Sequence, residues 1–286
     1  MSHLESYAFF EAVADVNEAL IGGGAILEVG SFDVNGGIRE LFSGASTYVG
    51  VDLCEGPGVD VVSQGHELSY EEGTFDLSLS SECFEHNPYW RETFLNMTRM
   101  TKAGGLVAIS CASRGRVEHG TARTEPAHSP GTQSRGLDYY RNLEEADFND
   151  LGLDETFISY KFWYQPGHFD LFFAGIKRGA GSVQARIPHD EQIERINALM
   201  SKPYKFIMSP FAGLSRVLPA SRYQSVAVPL SNFLSPAISF CEYRRNSSDF
   251  QWSKVLSGIS KRVARRRRKH GRDYLSLEDR GSVDRR

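Results

Sequence analysis

The strongest constraint on this chain lies in residues 25–36, AILEVGSFDVNG, followed by residues 48–53, YVGVDL. Ile26, Leu27 and Val29 predict a short, buried parallel strand, and Gly30 falls where that strand turns. Asn35, Gly36 and Gly37 then open an expected helix over residues 38–43, after which Val49 and Val51 form a second strand ending at Asp52. Strand, crossover and strand make a βαβ unit, which in an open sheet holds its ligand outside the carboxyl ends of the strands. A glycine at the first turn lets backbone approach that ligand without a Cβ in the way. A carboxylate at the end of the second strand accepts the hydroxyls of a ribose.

Three nucleotide-type ligands compete for such a unit. A dinucleotide needs G-x-G-x-x-G, with a helix amino terminus on its pyrophosphate. Here Phe32 stands two residues after Gly30, and the triplet Gly22-Gly23-Gly24 precedes the strand. No G-x-x-x-x-G-K-[ST] occurs, which excludes a P-loop. S-adenosylmethionine carries no phosphate. It needs a close-approach glycine, an acid near its methionine end and an acid on its ribose, and Glu28, Gly30 and Asp52 supply that set.

These segments, taken in order, resemble the class I S-adenosylmethionine-dependent methyltransferases of the small-molecule, type 11-like kind, over residues 20–178. Leu27-Glu28-Val29-Gly30-Ser31 matches the family's first motif and Val49-Gly50-Val51-Asp52-Leu53 its acidic second motif. Val59-Asp60-Val61-Val62 is similar to the third strand, and Gly65-His66-Glu67-Leu68 to the segment that closes over adenine. Residues 75–86, ending Glu85-His86, resemble the fourth motif, and residues 102–110 the turn and fifth strand. Many members carry a second glycine where Phe32 stands and an aspartate where His66 stands. The resemblance implies a Rossmann-like doubly wound α/β sheet, mostly parallel, with an antiparallel terminal hairpin. It implies S-adenosyl-L-methionine as cofactor, held by Glu28, Gly30, Ser31, Asp52, Leu53, His66, Glu67 and Ser80.

Composition narrows the remaining classes. With 41% hydrophobic and 24% charged residues the chain has an ordinary globular composition. No apolar span approaches about twenty residues, and the amino terminus lacks a basic segment before an apolar core, so a cytoplasmic protein is expected. Cys54, Cys83, Cys111 and Cys241 have no C-x-x-C spacing, and Cys83 with His86 gives too few ligands for a metal site, so free thiols and no metal are expected. The net charge of −4 is unevenly spread. Lys261, Arg262, Arg265, Arg266, Arg267, Arg268, Lys269 and Arg272 form a basic block uninterrupted by acid. This reads as a solvated, flexible tail, with an anionic partner as the sharper alternative.

Three parts are expected: a methyltransferase domain over residues 1–178, an accessory helical region over 179–260 and the basic tail over 261–286. Helices are expected over residues 4–20, 89–100, 142–151 and 189–201, and paired strands over 156–164 and 169–176. Beyond Gly181, Pro203, Pro210, Pro219, Pro229 and Pro236 are expected to break the chain into short pieces. Residues 112–138, rich in glycine and polar side chains, are too long for a mere connection and read as an acceptor-side loop. A hydroxyl or amine acceptor benefits from a base at the carboxyl edge of the sheet. The candidates are Glu82 and His86 after the fourth strand, and His119 or His128 in the long loop, with loop arginines such as Arg123, Arg135 and Arg141 available to an anionic acceptor. Two functions follow: methyl transfer to an oxygen or nitrogen of a small molecule or glycan precursor, or a methyltransferase-like binding and assembly module without turnover. A nicotinamide oxidoreductase is disfavoured by Phe32.

Overall fold

The computed structural model describes residues 3–34, 36–181, 183–200 and 202–243, with the backbone alone over 239–243. The basic tail lies outside the described residues. The elements begin with helices α1 (Leu4–Val16) and α2 (Glu18–Ile21), then strands β1 (Ala25–Val29), β2 (Thr47–Asp52), β3 (Val61–Val62) and β4 (Phe75–Ser81). Helix α3 (Trp90–Met100), strand β5 (Thr101–Ala112) and helices α4 (Pro130–Ser134) and α5 (Leu153–Thr156) follow. Strands β6 (Phe157–Gln165) and β7 (Asp170–Lys177) precede helices α6 (Asp190–Ala198), α7 (Lys202–Val217) and α8 (Ala220–Tyr243).

One sheet runs in the order β3-β2-β1-β4-β5-β7-β6. The first five strands are parallel, and β7 runs antiparallel to both β5 and β6. The strand order reverses between β1 and β4, so ligands are directed to the carboxyl ends of β1, β2 and β4. This is the Rossmann-like doubly wound fold with an antiparallel terminal hairpin.

Alternation along the strands explains the layers. Leu171 and Phe173 of β7 join the main core with Phe94 and Met97 of α3, while Phe172 points the other way and stacks on Phe9 of α1 at 4.5 Å. The stripe Phe94, Met97 and Met100 is buried at helical spacing, so α3 seals one face of the sheet.

Three local expectations are corrected. The helix expected after β1 is only a four-residue 3-10 turn, Arg39–Phe42, because only Ile38 and Phe42 of that stretch reach the core and Ser43 ends it. Residues 142–151 likewise hold one 3-10 turn, Glu145–Phe148, which ends at Asn149, and Gly152 at φ +65 turns the chain into α5. The prolines do not break the carboxyl-terminal region into short pieces. Pro203 sits in the first turn of α7, where its missing N–H has no intrahelical partner, and Pro219 precedes α8. Pro210, Pro229 and Pro236 are inside helices but face solvent, where water can satisfy the released carbonyls. At Pro210 the Ser209 hydroxyl does so directly, donating to the Phe206 carbonyl at 2.8 Å. On the opposite side of α7, Tyr204, Met208 and Phe211 are buried against Phe169 and Tyr223, which outweighs the lost backbone bond.

Phe173 is 1% exposed and meets the rings of Phe94, Phe148, Phe157 and Phe162. Phe173→Ala is expected to cost about 3–5 kcal/mol in urea unfolding. Phe206→Ala, at a side chain 79% exposed, is expected to stay within about 0.5 kcal/mol.

Candidate active site

A cleft opens at the carboxyl ends of β1, β2 and β4. Its floor is Gly30, at φ +84, where a Cβ would fall 2.4 Å from that of Cys83. That clash and the left-handed backbone both require glycine. Phe32 forms one wall, packed over Gly56. Asp52 stands beside it. Its Oδ2 accepts the Phe32 amide at 3.0 Å and its Oδ1 the Leu53 amide at 2.7 Å. Burial pushes the Asp52 carboxyl up, and the two amides partly offset this. Each oxygen keeps a second lone pair for a ligand hydroxyl. Leu53, Ser63, Gln64 and Gly65 complete this end.

The long segment after β5 supplies the opposite wall through His128, Ser129, Pro130, Gly131 and Thr132. Gly131 lies directly on Asp52, since a Cβ there would come within 2.4 Å of Oδ1. Arg135 donates to the Leu53 carbonyl at 3.1 Å and pins the wall in place. The other arginines expected to serve an anionic acceptor are already paired, Arg123 with Glu118 and Arg141 with Asp147.

The three candidate catalytic residues converge at one corner. Glu82 and His86 line the cleft, and the His119 ring meets that of His86 edge-on at 4.9 Å. Helix α8 makes this possible, because it clasps the loop that carries His119. The Tyr223 hydroxyl donates to the Gly115 carbonyl at 2.6 Å, and the Gln224 amide to the Arg116 carbonyl at 3.0 Å. The Glu118 amide donates back to Gln224 at 2.9 Å. Burial pushes the His86 imidazole down to about 3, so it is neutral at physiological pH but a weak base. Burial also lowers His119, and burial with the nearby Glu82 charge raises the Glu85 carboxyl to about 8.

Glu82 is held from beneath. Its backbone sits at φ +51, a left-handed conformation uncommon outside glycine. The Ser110 hydroxyl donates to Oε1 at 3.0 Å, while Oε2 lies 3.5 Å from His3 and 3.9 Å from Arg116. His3 and Arg116 also pair with Asp170, at 3.0 and 3.4 Å. Burial alone would lower His3, but the Asp170 and Glu82 charges outweigh it and hold the imidazole at about 10. The Glu82 carboxylate is therefore committed to an ion network under the cleft. Neither His3, Arg116 nor Asp170 carries a motif, so sequence spacing gave no signal for them.

Not every expected cofactor contact lines the cleft. Gly30, Asp52 and Leu53 do. Ser31 packs against Gly50, and Ser80 donates to the Val29 carbonyl at 2.8 Å. The segment of His66 and Glu67 reaches the cleft through Gly65, while the His66 ring lies 4.4 Å from that of Tyr89. Glu28 is on the other side of the sheet, 3% exposed, and accepts the Tyr48 hydroxyl at 2.6 Å.

Residues 27–109 match the methyltransferase domain family. The matched stretch runs from β1 to β5, the parallel part of the sheet whose carboxyl ends form the cleft. No curated protein matches the chain in sequence. Among solved structures, a Burkholderia thailandensis 1,6-didemethyltoxoflavin N1-methyltransferase, with 1,6-didemethyltoxoflavin and S-adenosylhomocysteine bound, is 20% identical. That match covers 60% of this chain and 79% of that one, at a TM-score of 0.42. The YcgJ protein of Bacillus subtilis is 12% identical over 62% of this chain and 100% of that one, at a TM-score of 0.43. A Haemonchus contortus phosphoethanolamine N-methyltransferase 2, bound to phosphomonomethylethanolamine and S-adenosylhomocysteine, is 16% identical. It aligns over 55% of this chain and 49% of that one, at a TM-score of 0.40. Among the described residues no helix is long and apolar enough to cross a membrane.

Burial raises Glu28 to about 7, with Asp52 and Asp33 adding to the rise and Tyr48 and Arg39 opposing it. A carboxyl raised on folding contributes stability that is fully present below its unfolded value of about 4.5 and is lost as pH rises through 7. Glu28→Gln is therefore expected to match the parent in stability near pH 4. At pH 8 it should exceed the parent by on the order of 3 kcal/mol in denaturant melts.

Proposed function

We propose that this protein transfers a methyl group from S-adenosyl-L-methionine to an oxygen or nitrogen of a small molecule. The observation that carries this reading is the construction of the cleft after β1. Gly30 and Asp52 offer a close-approach turn and a ribose acceptor, but no helix amino terminus follows to hold a pyrophosphate. The next element is the 3-10 turn Arg39–Phe42. A ligand with adenosine and no phosphate suits that site, and a dinucleotide does not. The matched methyltransferase family, residues 27–109, supports the same donor.

In this reading the adenosine lies between Phe32, Asp52 and the segment of Gln64 and Gly65, under the cover of Gly131. The sulfonium methyl points to the corner of Glu82, His86 and His119. The donor is already activated, so holding acceptor, methyl and sulfur in line supplies much of the acceleration. Neutral His86 would orient an acceptor hydroxyl or amine. Residues 1–178 would be the catalytic domain, and the helices beyond them would act by holding the His119 loop.

Calorimetric titration tests the donor. S-adenosylmethionine is expected to bind and NAD to give no heat; the reverse would overturn the reading. Asp52→Ala, in a variant that melts like the parent, is expected to weaken donor binding by about 1–3 kcal/mol through loss of charge-assisted hydrogen bonds. Gly131→Ala, which drives a methyl group into the Asp52 carboxylate, should weaken it in the same direction.

A further inference from the structure

We infer that Glu85, His86 and His119 form a binding site for one divalent transition-metal ion of the Zn2+ class. One ligand atom from each lies within 4.8 Å of the others, and Glu85 Oε1 is 4.0 Å from His119 Nε2. A tetrahedral ion with bonds of ~2.0–2.2 Å holds its ligands ~3.3 Å apart, so the side-chain ends need to close by about an ångström.

The case rests on what these groups lack. Glu85 is 0% exposed and His86 5%. No hydrogen bond of normal geometry reaches either carboxylate oxygen of Glu85 or either ring nitrogen of His86, although the Tyr139 backbone lies against the His86 ring and interacts with it. Buried polar atoms left in this state are costly, and several converging on one point call for an occupant. The His119 ring is already oriented for one. Its Nδ1 lies 3.1 Å from the Val117 carbonyl, which fixes that nitrogen as the donor and leaves Nε2 to present a lone pair toward Glu85. Gly120, at φ +69, lets the backbone pass over His86, since a Cβ there would come within 2.9 Å of the ring.

Two other clusters of ligand-type side chains share a different chemistry. His3, Glu82 and Asp170 lie as close together, but Arg116 reaches both acids and His3 stands between them. The group of His3, Glu5 and His168 is likewise tied by a Glu5 to His168 contact of 2.7 Å. Those sites carry their own cations. At Glu85 no arginine or lysine makes an ion pair among the described residues. Two imidazoles and one carboxylate favour Zn2+, Fe2+, Co2+ or Ni2+ over Mg2+ or Ca2+. Three protein ligands leave a coordination position open, and His86 is also a wall of the cleft.

The test needs neither donor nor acceptor, so it stands apart from the methyl-transfer reading. The full chain, stripped with a chelator, is titrated with Co2+ by visible absorption and then with Zn2+ in competition. The expected result is one equivalent bound, displaced by Zn2+. Glu85→Gln and His119→Asn, each verified as folded by circular dichroism, should weaken binding by at least about a hundredfold. His189→Gln, at an exposed histidine that caps α6, should leave it unchanged. X-ray absorption on the zinc-loaded parent should show imidazole scattering with oxygen and no sulfur. The inference is overturned if the parent shows no saturable binding, if the two folded ligand variants bind as the parent does, or if the absorption spectrum shows only a hydrated ion.

Discussion

The closed square of charges beneath the cleft holds the functional end of this molecule together. Glu82 and Asp170 face His3 and Arg116, with every adjacent pair between 3.0 and 3.9 Å. A third buried acid, Glu5, lies 3.4 Å from His3 and 2.7 Å from His168, so each buried acid has a basic partner, which is the condition for ions to persist inside a protein. Each corner comes from a different part of the chain: the residue before α1, the end of β4, the loop after β5 and the start of β7. The square therefore fixes where the sheet's carboxyl edge meets the loop, and it holds Glu82 in its left-handed conformation.

Arg116 links that square to the helices beyond the sheet. Its carbonyl receives the Gln224 amide of α8, and its guanidinium donates to the His168 carbonyl at 2.8 Å. His168 in turn stacks on His3 at 4.4 Å and lies 5.2 Å from the Tyr204 ring of α7. The loop is thus held from the sheet side and the helix side at once. His119, three residues beyond Arg116, is thereby presented to His86. The cleft has two ends with different character as a result: a backbone-lined end at Gly30 and Asp52, and an end of converging titratable side chains.

The first of these ends could be read from the sequence and the second only in part. Gly30 and Asp52 are local features, a turn glycine and a strand-terminal acid at fixed spacing, and such signals survive without knowledge of the fold. The mostly parallel, doubly wound sheet was expected from the resemblance, and the final hairpin from the two apolar runs over residues 156–164 and 169–176. Glu28 and Ser80 occupy the right motifs, yet strand alternation turns Glu28 to the far face and hydrogen bonding commits Ser80 to the Val29 carbonyl. His3 and Asp170 are far apart in the chain, and nothing in either's neighbours marks it as half of an ion pair. The helices containing Pro210, Pro229 and Pro236 were hidden because proline's cost depends on whether the released carbonyl meets water, and local sequence does not report that.

The most direct measurement is transfer of labelled methyl from S-adenosylmethionine into a fractionated small-molecule extract, with the parent chain and Asp52→Ala run side by side. The account predicts a labelled small molecule, identified by mass, that forms with the parent and is lost or strongly reduced with Asp52→Ala at limiting donor. A parent chain that binds no donor and moves no label at saturating S-adenosylmethionine would contradict it.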